Sequence, residues 1–220
     1  MLRSLSVAAA LCLALAAAAP ARAVSIGLDQ LVGGATLTSD DGRLSFSNFE
    51  VPFLLNLDTD LSQYTVTSLS DGFRITGPFD APAGDPDGAQ MTLSYDVTAL
   101  SGTLDSIVLT HAADGAGLGT RSDVFEQVFL GTTQVGFLGD QLFFPNLPST
   151  ATSTQDLTAL AATTLHIRKE IFVEAESEEG FGSVLYVDQR YPGEAVPEPG
   201  TIGLLGLGLG GLAVAGRRRR

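Results

Sequence analysis

The sequence predicts an all-β protein: a single antiparallel β-sandwich, jelly-roll or Ig-like, set between two terminal segments of a different kind. Three observations predict it. Apolar and polar residues alternate with a period of two over several stretches, as they do on half-buried strands. Asp-Gly, Gly-Pro, Pro-Ala-Gly and Asn-Leu-Pro turn chemistry separates those stretches. Many glycines and few lysines complete the composition of short strands joined by tight turns.

In chain order, residues 1–23 come first. Arg3 opens the chain, Val7 to Ala19 is apolar, and Ala21-Arg22-Ala23 is a small-x-small site. That plan is a secretory signal peptide, removed by signal peptidase after Ala23. Its apolar core is too short to cross a hydrocarbon layer of ~30 Å.

The body, residues 24–192, begins its strand signals with RLSFSNFEV, YTVTSL and FRITGPF. DDGR at 40–43 and SDGF at 70–73 mark tight turns between them. MTLSYDVTAL then places Met91, Leu93, Tyr95, Val97 and Ala99 on one face. LDSIVLTH, DVFEQVFLG and SVLYVDQRY are weaker strands of the same type, and HAADGAGLGTRSD reads as a long glycine-rich loop. STQDLTALAATTL breaks the period: Ser153 can cap a short helix with Asp156 three residues on. LHIRKEIFVEAE returns to alternation, with Leu165, Ile167, Ile171, Val173 and Ala175 on one face and only Lys169 interrupting it.

Composition excludes several functions. The single cysteine, Cys12, leaves with the signal peptide, so no disulfide, catalytic thiol or thiolate metal site remains. Residues 24–196 hold 24 acidic and six basic residues, a net charge of −18. A surface of that sign repels phosphate backbones, which excludes nucleic acid as a partner.

Catalytic signatures are missing. There is no Gly-x-Ser-x-Gly elbow and no His-Glu-x-x-His, and His111 and His166 read as ordinary strand residues. Gly115, Gly117 and Gly119 lack the βαβ setting of a nucleotide loop. Glu174 and Glu176 share a strand face about 6.6 Å apart, but with Glu178 and Glu179 they read as a hydrated acidic edge. DPDGAQMTLSYD starts like a calcium loop, yet Gly88 falls at its fourth position and the loop would consume a strand. Asp85, Asp87, Asp58 and Asp60 are the candidate calcium ligands, with plain turn residues the preferred reading. No catalytic residue or cofactor is nominated.

Residues 193–220 end the chain. Pro197-Glu198-Pro199 keeps the backbone extended, and Ile202 to Ala215 is wholly apolar or glycine, about 21 Å as a helix. Arg217, Arg218, Arg219 and Arg220 hold the end on the cytoplasmic side. Short and glycine-rich, this segment suits transient membrane insertion rather than permanent anchoring. The combination of VPEPGT, a glycine-rich apolar helix and terminal arginines resembles the PEP-CTERM sorting signal of exported bacterial proteins.

That resemblance implies export through the inner membrane and recognition by an exosortase, a membrane cysteine transpeptidase that cuts near Pro197-Glu198-Pro199. It implies a destination at the cell surface, outer membrane or extracellular matrix of a Gram-negative bacterium, in association with exopolysaccharide. The expected role is therefore a non-enzymatic surface or matrix protein. The alternative is a carbohydrate-binding or calcium-dependent adhesive module, which the absence of tryptophan and the presence of only four tyrosines disfavour. A secreted hydrolase ranks last.

Overall fold

The computed structural model describes residues 23–193 apart from 82, 118 and 144–147. The expectations for Ala21, for the Pro197-Glu198-Pro199 motif and for the terminal arginines fall outside those residues; Ala23 is the first residue described. Ala23–Gly193 form one compact unit.

Its elements are β1 (Ser25–Gly27), the five-residue helix α1 (Leu28–Val32), β2 (Leu37–Thr38), β3 (Leu44–Leu55), β4 (Thr65–Leu69), β5 (Gly72–Thr76) and β6 (Phe79–Ala81). There follow β7 (Asp85–Ala99), β8 (Ser106–Ala116), β9 (Thr120–Leu130), β10 (Thr133–Phe143), β11 (Ser149–Asp156), β12 (Thr164–Ala175) and β13 (Phe181–Arg190).

Two antiparallel sheets result. A seven-stranded sheet runs β1-β4-β5-β13-β8-β11, with β6 also on β13, and a six-stranded sheet runs β10-β9-β12-β7-β3-β2. The predicted core face of β7 holds over Met91, Leu93, Tyr95 and Val97, all fully buried, while Thr92 and Ser94 on its other face are covered as well. Both predicted turns are present, with Gly42 at φ +71° closing the first and Leu69 pairing Gly72 across the second. An aromatic cluster fills the space between sheets. Phe73 meets Phe46 edge-on at 4.9 Å and Tyr95 at 5.1 Å, and the Tyr95 and Tyr191 hydroxyls lie 3.0 Å apart.

Three expectations are corrected. Ser153 does not cap a helix; Ser149–Asp156 is the edge strand β11, paired residue for residue with β8, and only Thr158–Leu160 turns helically, in a 3-10 turn. Its alternating Ser, Thr and Ala suit a half-exposed strand, and β8 offers a free edge to receive it. Nor is His111–Asp123 a long loop. β8 and β9 take most of it, leaving residues 117–119 as the connection, where Gly117 (φ +100°) and Gly119 (φ +76°) turn left-handed.

The third correction concerns Lys169, which does not interrupt the core face of β12 but belongs to it. Its ammonium is fully buried and donates to Glu126 on β9, its direct cross-strand neighbour, and to Gln189 Oε1 on β13 of the opposite sheet at 2.7 Å. Glu126 and Gln189 are likewise fully buried. Burial pushes the Lys169 pKa down and the Glu126 pKa up, each opposed by the charge of the other. A lysine can lie on this face because both its partners enter the core with it.

Candidate functional site

The outer face of the six-stranded sheet is where exposed aromatic and charged side chains meet. Alternation on β9 sends Val124, Glu126 and Val128 into the core and so turns Phe125, Gln127 and Phe129 outward. On β12 the same rule turns out His166, Arg168, Glu170 and Phe172. Strand register sets them side by side: Phe125 lies opposite Glu170, Gln127 opposite Arg168, and Phe137 of β10 opposite Gln127.

Phe125, Gln127, Phe137, Arg168 and Glu170 line a shallow depression of about 380 Å³. The Phe125 and Phe137 rings stack at 5.9 Å with 23° between planes, and Phe137 is 56% exposed. Gly139, opposite Phe125 in the register, makes this possible, since a Cβ there would sit 2.5 Å from the Phe125 ring. The arrangement offers a flat apolar surface rimmed by a guanidinium, a carboxylate and a carboxamide. Chemically it can hold a ligand with an apolar face and hydroxyl-bearing edges.

Polar pairs flank the depression at both ends. Arg121 forms an ion pair with Glu174 at 2.7 Å and lies over the Phe172 ring at 5.1 Å. Asp123, beside it, has its pKa raised by burial against the pull of Arg121. At the other end His166 Nδ1 and Asn48 Nδ2 both reach Asp96, at 2.8 and 2.7 Å. The expected hydrated Glu174–Glu176 edge is therefore revised: Glu174 is buried and ion-paired, while Glu176 is exposed.

The calcium candidates lie elsewhere. Asp58 accepts from the Asp60 amide at 2.8 Å. Asp60 caps the Leu61–Gln63 turn, its pKa lowered by hydrogen bonds from the Ser62 hydroxyl and amide and from Gln63. Asp85 and Asp87 start β7, where Gly88 at φ +62° passes close to the Val173 carbonyl. Among the described residues no three His, Cys, Asp or Glu side chains converge on a common point.

The comparisons with known proteins bear on the tail and the architecture. Residues 195–220 match the family model of the PEP-CTERM protein-sorting motif. The chain carries a PEP-CTERM sorting motif. This motif implies an exported, exosortase-processed protein with a surface or extracellular destination in Gram-negative bacteria. No curated protein matches the chain.

Among solved structures the chain is similar to TmCBM61 in complex with β-1,4-galactotriose, at 8% identity over 76% of this chain and 94% of that one, with a TM-score of 0.34. It is similar also to the CBM36-1 domain of a multidomain xylanase from the hindgut metagenome of Trinervitermes trinervoides (8%, 79% and 100%, TM-score 0.30). A third is the module CBM6cm-2 from Cellvibrio mixtus lichenase 5A in complex with cellotriose (17%, 72% and 98%, TM-score 0.26). Likeness at this level carries no argument about ligands.

The Phe125–Phe137 platform is the feature that sequence reasoning missed. Its signal was present in DVFEQVFLG, where two phenylalanines occupy the face that alternation assigns to solvent.

Proposed function

We propose that the chain is exported by its signal peptide, cleaved after Ala23, and released or transferred by an exosortase as an extracellular, non-catalytic protein that binds exopolysaccharide. In this reading the outer face of the six-stranded sheet is the polysaccharide-binding surface. The observation that carries it is the stacked pair of half-buried Phe125 and exposed Phe137 over a depression rimmed by Arg168, Glu170 and Gln127.

The CH-rich face of a sugar ring is apolar while its edge carries hydroxyls. An aromatic floor with charged and amide donors and acceptors at its rim matches both at once. A shallow, open surface suits a polymer that runs across it rather than a small molecule that enters it. The net charge of −18 over residues 24–196 favours neutral or amino-bearing chains over acidic ones.

Affinity electrophoresis through gels containing the host's own exopolysaccharide tests this. The full chain is expected to be retarded, and Phe137→Ala and Arg168→Ala to run as in gels without polysaccharide. Equal retardation of wild type and both variants would place binding elsewhere, and no retardation of the wild type would refute the reading.

A further inference from the structure

The buried triad of Lys169, Glu126 and Gln189 has the composition of a self-reacting centre, and neither sorting nor binding at the outer face makes use of it. Lys169 is the chain's one lysine. Its Nζ, wholly withdrawn from solvent, stands 2.7 Å from Gln189 Oε1. The carboxamide carbon is one C=O bond beyond, so it lies within about 4 Å of the amine. That is close to the ~3–3.5 Å of a reacting pair. Glu126 contacts the same Nζ through Oε2, while its Oε1 is buried with no hydrogen-bond partner among the described residues.

We propose that the Lys169 amine and the Gln189 carboxamide condense within the folded body into an intramolecular isopeptide bond, with Glu126 carrying the proton. Lys169 first gives a proton to Glu126, a transfer that burial eases because it disfavours both charged forms. The neutral amine attacks Cδ of Gln189, and the Glu126 carboxylic acid hydrogen-bonds the developing oxyanion. The Nζ–Cδ bond forms as the Cδ–Nε2 bond breaks. Nε2 takes the proton shed by Nζ, relayed through Glu126, and departs as ammonia. No oxidant, cofactor or second protein is consumed.

The geometry gives the bond a mechanical meaning. Lys169 belongs to β12 in the middle of one sheet and Gln189 to β13 in the middle of the other. An amide between them would staple the sandwich across its core in a chain whose body has no cysteine.

The test is peptide mass mapping of the purified full-length chain, unfolded and digested. The expected result is a branched peptide joining the Lys169 and Gln189 segments, lighter than their sum by one ammonia. Quantitative recovery of the two linear peptides from protein aged in its folded state would overturn the proposal. A branch to Glu126 with loss of water would overturn it too, since the electrophile would then be the wrong side chain. In Glu126→Gln the branch should disappear, and its persistence would remove Glu126 from the mechanism. Should that variant fail to fold, the wild-type map decides alone. Lys169→Arg supplies the control that must give only linear peptides.

Discussion

Tyr95 and Tyr191 offer a test of how the two sheets are locked. Tyr95 lies on β7 and Tyr191 just beyond β13, so their hydroxyls meet from opposite sheets at 3.0 Å, and both side chains are fully buried. Burial holds both hydroxyls in the neutral form, well above the ordinary tyrosine pKa. Each Tyr→Phe change keeps the ring and removes one oxygen, which strands the partner hydroxyl in an apolar core. An unsatisfied buried hydroxyl costs about 1–3 kcal/mol, so each single variant should lose that much. The double variant strands nothing, and its loss should be no larger than that of one single variant. The coupling is then about 1–3 kcal/mol. Urea unfolding measures it as midpoint shifts at constant slope, and a domain of this size loses about 2–4 °C in Tm per kcal/mol. Losses that simply add in the double variant would refute the reasoning, because each hydroxyl would then have its own partner.

Two further outcomes are expected. His111 is buried with neither ring nitrogen hydrogen-bonded to a side chain among the described residues, and burial pushes its pKa down from 6.5 to about 4. The unfolded chain therefore binds the extra proton between those values, and stability should fall by up to ~3 kcal/mol as pH drops through that window. Urea midpoints of His111→Leu should lack this component; profiles parallel to wild type would exclude it. Separately, replacing Pro197, Glu198 and Pro199 together with alanine should leave Arg220 on the membrane-bound protein, whereas the wild-type C-terminal peptide from surface fractions should end near Pro199. An identical C-terminus in both would deny the motif its processing role.

How much was legible in the sequence follows a physical line. β7 announced itself because Met91 to Val97 face one continuous apolar core, a local pattern with a local cause. Lys169 looked like an interruption because its partners, Glu126 and Gln189, are 43 and 20 residues away, and no local window holds them. β11 was misread for a related reason. Its Ser and Thr residues carry little hydropathy, and their strand conformation comes from the edge that β8 presents. The platform escapes a search for tryptophan and tyrosine, since phenylalanines build it. Phe125 and Phe137 become neighbours only through the β9–β10 register over Gly139.

The strand order has a consequence for how the molecule leaves the cell. β12 stands between β9 and β7, and β13 between β5 and β8, so the last two strands in sequence are interior strands of both sheets. A chain threaded through an export channel from its N-terminus delivers them last. Until residue 190 emerges, β5, β7, β8 and β9 have open edges and the aromatic cluster lacks Tyr191. The sorting motif begins at residue 195, only a few residues later. Completion of the fold and arrival of the address label thus coincide, and a prematurely terminated chain would possess neither. The topology ties the two together: a chain that stops short of β12 and β13 also lacks the motif that follows them.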